Sequence, residues 1–174
     1  LTNRPLVHTS LDASSVGTYI AAISPRPQDI ITVSLKLVLD TNSNASVYFS
    51  SPISNALYSV VGISFSSFSD TFTISSRSGL VYQGTSMFST GGNYQANSLL
   101  GLSFPLKMKD EVFSATFNDD EIVSGAPFDA HLGFMSVSVA LGDIGTTGHW
   151  GTAGIDDILV SIDPYDRPHL SSMS

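Results

Sequence analysis

Apolar and polar residues alternate with a period of two along several stretches. Ile31, Val33, Leu35, Leu37 and Leu39 alternate with Thr32, Ser34, Lys36, Val38 and Asp40. Phe113, Ala115 and Phe117 are spaced by Ser114 and Thr116. Met135, Val137, Val139 and Leu141 are spaced by Ser136, Ser138 and Ala140, and Ile158, Val160 and Ile162 close the series. Period two gives a strand one buried face and one wet face, which antiparallel sheets allow. Weaker alternation predicts further strands at 16–23, 46–50, 60–66, 70–75, 79–83 and 99–105. A sustained 3.6-residue stripe is absent. One short helix is expected at 52–60, with Pro52 in its first turn, although Val60-Val61 reads as strand.

Turn-forming residues separate these runs. Ser24-Pro25-Arg26-Pro27 precedes the first strong strand, and Asp40-Thr41-Asn42-Ser43-Asn44 follows it. Ser89-Thr90-Gly91-Gly92-Asn93 reads as a loop, and Asn118-Asp119-Asp120 as a hairpin tip between 112–117 and 121–123. About ten short strands with polar turns predict an all-β fold, an antiparallel β-sandwich of jelly-roll type. No repeat or linker divides the chain. One domain is expected over 1–174, with its core at about 16–163 and tails at both ends.

Three stretches carry a family resemblance. Gly154-Ile155-Asp156-Asp157-Ile158-Leu159-Val160 resembles the closing strand of laminin-G-like, concanavalin-type jelly rolls, where a Gly, an apolar residue and acidic residues precede alternating apolar positions. Phe113 to Ile122 is similar to the family's hairpin, and Ser136 to Asp143 to the strand that follows. The resemblance spans about 110–163. It implies a jelly roll, a rim that often holds calcium, and an extracellular binding role; one fold hosts many functions.

Composition narrows the choice of partner. The 174 residues hold 7 Lys and Arg against 15 Asp and Glu, a net charge of −8, and only 13% are charged. Phosphate neutralisation needs clustered basic residues, so nucleic acid is not an expected partner. No apolar run approaches the roughly 20 residues of a spanning helix, so membrane insertion is not expected either. Cysteine is absent, which removes disulfides and thiol chemistry. The chain opens Leu1-Thr2-Asn3 without Met, which reads as a mature or excised fragment. Ser, Thr, Asn and Gly take the place of the missing charge.

Candidate chemistry is sparse. Glycoside hydrolysis needs two carboxyl groups at a set separation, and Glu111 and Glu121 do not form the Glu-x-Asp-x-Glu pattern of jelly-roll glycosidases. Asp156 and Asp157 are adjacent, so a regular strand would point them to opposite faces. Asp40, Asn42 and Asn44 offer hard oxygen ligands at alternate positions, a candidate calcium site. The EF-hand pattern itself fails at Ala45 and Ser51, and an ordinary Asx-rich turn competes with the metal reading. His8, His131, His149 and His169 lack metal-ligand spacing, and no Gly-x-Ser-x-Gly elbow occurs. The chain is therefore not expected to be an enzyme. Asn44-Ala45-Ser46 is a glycosylation sequon on an expected turn.

The stretch 142–154 has glycine at every third position and carries the only Trp of the chain. Aromatic rings stack on sugar faces while polar side chains bond the hydroxyls, so Asp143, Thr147, His149 and Trp150 are the candidate ligand-binding residues. The competing reading has Trp150 plugging the end of the core. Tyr48, Phe49, Phe65, Phe68 and Phe72 read as core. Tyr58, Tyr82 and Tyr94 stay open, the last two flanking Gly91-Gly92.

The expected function is a non-catalytic extracellular binding or adhesion module that recognises carbohydrate or a protein surface through edge loops. The alternative is a structural subunit that self-assembles, as in a viral capsid or spike or a surface filament. An enzyme on the same scaffold is the third reading.

Overall fold

The structure is a computed structural model. It describes residues 4–12, 17–40, 43–53, 56–66, 69–78, 85–130, 136–143 and 154–164. These contain twelve strands: β1 (Arg4–Asp12), β2 (Gly17–Ala22), β3 (Asp29–Val38), β4 (Ser43–Ile53), β5 (Ala56–Ser66), β6 (Thr71–Ser78), β7 (Thr85–Asn93), β8 (Leu100–Lys107), β9 (Val112–Phe117), β10 (Asp120–Pro127), β11 (Ser136–Asp143) and β12 (Gly154–Pro164). They form two six-stranded sheets, sheet A in the order β1-β12-β3-β8-β9-β10 and sheet B in the order β2-β11-β4-β5-β6-β7. Every pairing between them is antiparallel.

The alternation seen in the sequence becomes the core. Ile31, Val33, Leu35 and Leu37 point inward from sheet A, and Val47, Phe49, Ile63, Phe65 and Ile74 from sheet B. Aromatic rings join the two layers. Phe49 stacks on Phe104 at 5.7 Å, Phe72 meets Phe117 edge-on at 4.8 Å, and Phe88 meets Phe113 edge-on at 5.7 Å. Each such pair adds about 0.5–1.5 kcal/mol beyond area burial. The sandwich predicted from the alternation is the fold.

Short polar residues make the corners. Asn118 and Asp119 both adopt positive φ, 50° and 68°, between the paired residues Phe117 and Asp120. That is a two-residue hairpin turn whose twist suits the strands. Asn118 Oδ1 also accepts from the Gly101 amide at 2.7 Å, tying the tip to β8. Before β3, the buried Asp29 carboxylate accepts from the Arg26 amide at 2.8 Å, which closes the Pro25–Pro27 turn.

Four expectations are corrected. The helix at 52–60 is instead the end of β4 and the start of β5, with Pro52 opposite Leu57 and Ile53 opposite Ala56. The loop at 89–93 is part of edge strand β7. A Cβ on Gly92 would lie 2.9 Å from Phe72 Cζ, so glycine there lets β7 close on a ring of β6. Residues 4–12, expected as tail, form β1 against β12. Asp156 and Asp157 do not sit on a regular strand: a β-bulge holds them, with Asp157 at φ 52° and its amide bonded to Asp156 Oδ1 at 2.8 Å. The extra residue resets the phase, so Ile155 and Ile158, three apart, are both buried. The expected strand at 79–83 lies outside the described residues.

Candidate functional site

Strand pairing builds a regular lattice on the outer face of sheet B. One row crosses five strands through Ser138, Tyr48, Gly62, Ser75 and Ser89. The next contains Ala140, Ser46, Ser64, Thr73 and Gly91, and a third contains Gly142, Asn44, Ser66, Thr71 and Asn93. Core residues alternate with these on β4, β5, β6 and β11, so the pleat turns this set outward. Among these rows the face is hydroxyl-rich, with one aromatic side chain, Tyr48.

The Cδ1–Cε1 edge of the Tyr48 ring rests against Gly62. A Cβ on Gly62 would sit 2.5 Å from Tyr48 Cε1 and closer still to Cδ1, so no other residue type leaves the ring where it is. Gly62 is buried, and Tyr48 is partly exposed. Asn44, Ser46, Ser64, Ser66 and Ala140 line an open groove of about 370 Å³ beside Tyr48. An aromatic plane with hydroxyl and amide groups around it can stack on an apolar ligand face and bond polar groups at its rim. The sequence reading of Tyr48 as core is corrected. Its neighbour Phe49 takes the core position, and period two sends Tyr48 out. Alternation fixes which of two adjacent aromatics is buried only once the sheet's inner face is known.

The loop candidates fall differently. Asp143 ends β11 opposite the buried Ser43, one step beyond the pair Gly142–Asn44, and Ser43 does not line the groove. Thr147, His149 and Trp150 lie outside the described residues.

The calcium candidates separate. Asp40 is only 8% exposed, and its Oδ1 accepts from the Ser43 hydroxyl at 2.8 Å. Asn44 belongs to β4 and lines the groove, which also moves the sequon from the expected turn into a strand. Asn42 lies outside the described residues. Among the described residues no three His, Asp or Glu side chains gather at metal-binding distance. Nearby, Tyr94 packs edge-on against Phe65 at 5.6 Å, and its amide bonds the Asp70 carbonyl at 3.0 Å. Tyr94 Oη and Asp70 Oδ1 are buried without hydrogen-bond partners. Burial, then the charges of Asp70 and Asp40, push the Tyr94 phenol up to about 12.

The other carboxylates have structural roles or stand apart. Glu111 Oε1 accepts from the Ala130 amide at 3.2 Å. Glu121 pairs with Thr116 on the far side of β9, about 16 Å away along the strand, beyond the spacing of a glycosidase pair. Asp157 bonds Lys36 at 2.9 Å on sheet A and, through that bond and its charge, raises the Lys36 ammonium above its ordinary range.

This geometry has counterparts among solved structures. Galectin LEC-6 from Caenorhabditis elegans aligns at 13% identity, covering 82% of this chain and 89% of its own, with a TM-score of 0.56. A tetrameric galectin from the ball sponge Cinachyrella sp. aligns at 12% identity over 86% of this chain and 100% of its own, with a TM-score of 0.54. The fold is a jelly-roll β-sandwich. A fructofuranosidase from Schwanniomyces occidentalis complexed with fructose aligns at 12% identity over 94% of this chain, with a TM-score of 0.57. The chain spans only 33% of that enzyme's length. No family model matches the chain, and no curated protein matches it by sequence.

Proposed function

We propose that this chain is a non-catalytic carbohydrate-binding module that takes its glycan on the outer face of sheet B. The observation that carries the reading is the partly exposed Tyr48 ring, seated with its edge against Gly62 beside a hydroxyl-lined groove. The ring supplies a stacking plane, and Ser46, Ser64 and Asn44 supply hydrogen bonds, the division of labour a sugar with apolar faces and polar edges calls for. The described part of the groove carries no carboxylate, whereas glycoside hydrolysis works with a pair. The galectin likeness and the laminin-G-like closing strand support the same class. The module works outside the cell or on a surface, where glycans are presented.

A glycan array probed with the wild-type chain and with Tyr48→Ala tests this. Retention on at least one glycan, lost in Tyr48→Ala while the variant still unfolds in one cooperative transition, is the expected result. A blank array, or retention that ignores the substitution, would refute the reading. A structural subunit is the second reading, favoured by edge strand β7, whose nine residues carry no charge to discourage further pairing. Light scattering that shows large polymers at micromolar concentration would favour it.

A further inference from the structure

We infer that the ligand is an internal stretch of an extended, uncharged polysaccharide lying across the strands, an inference that rests on the carbohydrate reading of the same face. The row through Tyr48 spans five adjacent strands, from β11 to β7. At about 4.8 Å per strand it is about 19 Å long, the length of several sugar rings. The row beside it runs parallel, one pleat repeat of about 6.8 Å away. A chain lying along the Tyr48 row stacks one ring on the tyrosine and meets hydroxyls on either side.

No described side chain closes this track. Away from Tyr48, the outward positions of the two rows are Gly, Ala, Ser or Thr only, and β7 is the edge of its sheet. A site for a terminal sugar needs a wall that stops the chain, and the row runs out to the β7 edge without one, as an internal segment requires; at its other end it continues to Ile20 of β2.

Charge sets the chemical class. Among the described outward side chains of β4, β5, β6, β7 and β11, Arg77 is the sole charged one, and it lies one outward position beyond Ser75, off the Tyr48 row. The whole chain carries −8, so its field repels a polyanion. One arginine at the margin does not match a carboxylate or sulfate on every unit or two. An uncharged chain bonds the hydroxyl lattice without that penalty.

The test is calorimetric titration of the chain with cello-, xylo-, manno- and galacto-oligosaccharides of one to six units, and with oligogalacturonates of the same lengths, at low and physiological salt. In at least one neutral series the affinity should rise at least tenfold between two and four or five units and then level off, indifferent to salt. Oligogalacturonates should bind at least tenfold more weakly. Ser75→Leu places bulk on the track one strand beyond Gly62. It should cost the pentasaccharide at least fivefold while leaving the disaccharide within twofold. Affinity already complete at one or two units, or a salt-sensitive preference for galacturonate, would overturn the inference and leave the carbohydrate reading standing. Silence in every series, with a blank array, would overturn both.

Discussion

Replacing Gly62 with alanine adds one methyl group against the Cδ1–Cε1 edge of the Tyr48 ring. The new Cβ would lie 2.5 Å from Tyr48 Cε1 and 3.1 Å from the Val47 carbonyl oxygen, whereas carbon atoms in comfortable contact are about 3.5–4.0 Å apart. The carbonyl belongs to the ladder and is held, so the ring must lift by an ångström or more. Two effects on stability then oppose each other. Alanine inside a strand is better than glycine by about 0.5–1 kcal/mol. Uncovering about 40 Å² of ring and backbone costs about 1 kcal/mol. The net change should lie within about 1 kcal/mol, a shift of about 2–4 °C at most for a chain of this size. Binding has no such compensation. A sugar face stacked on the ring removes about 80 Å² of apolar surface from water across both partners. That is worth about 2 kcal/mol, a factor of about 30 in Kd. Titration with the best array glycan measures the loss, and thermal unfolding checks the fold. Tyr48→Ala should lose a similar amount, and the double variant no more than Tyr48→Ala alone, because both changes remove one contact. Additive losses, or wild-type affinity in Gly62→Ala, would show that the ring is not the platform.

Other substitutions probe the frame that holds this face. Tyr94→Phe should raise stability by about 1 kcal/mol in thermal or urea unfolding, because it removes a buried hydroxyl without a partner and keeps the edge contact with Phe65; a loss would mean the hydroxyl is satisfied. The raised Tyr94 pKa makes the folded state hold its proton more tightly than the unfolded one. Stability should therefore be full below pH 10 and fall as pH rises toward about 12, and Tyr94→Phe should flatten that fall. Asn118→Ala forces a Cβ-bearing residue without a turn-stabilising side chain to keep φ 50°, and it loses the bond to Gly101. It should cost about 1–2 kcal/mol in denaturant unfolding, with Asn118→Gly recovering part of that. Deleting Asp157 removes the extra residue of the bulge and leaves Asp156 alone between Ile155 and Ile158, so both still face inward and the chain should fold cooperatively, without the Lys36–Asp157 ion pair. Loss of the cooperative transition in the deletion variant would refute that account of the bulge.

Much of the frame was legible in the chain. β3, β9 and β11 follow from strict alternation, because a strand with one buried face needs it. The tip at Asn118-Asp119 follows from the tolerance of short amide and acid side chains for positive φ. The misread segments share a cause, which is that local composition described a partner rather than the segment. Gly91 and Gly92 look like a loop until Phe72 is seen pressed against Gly92. Residues 52–60 look helical until Pro52 and Leu57 pair across a hairpin. β1 has no strong alternation of its own, and it forms because β12 offers it an edge.

The candidate site was only half legible. Its chemistry, hydroxyls in place of charge, could be counted from composition, and so could the shortage of carboxylates. Its place could not. The loop with Trp150 drew the eye because an aromatic among glycines stands out in one dimension. Tyr48 looked like core because it sits beside Phe49, and its exposure depends on which face of β4 meets sheet A. Gly62 is 14 residues further on, and only the β4–β5 register sets it beside the ring. The sequence by itself determined an all-β sandwich with a hydroxyl-rich surface of low charge density, because period-two burial and composition are properties of the chain. Strand pairing decided which hydroxyls form rows and which aromatic lies among them, because register joins residues that are distant along the chain.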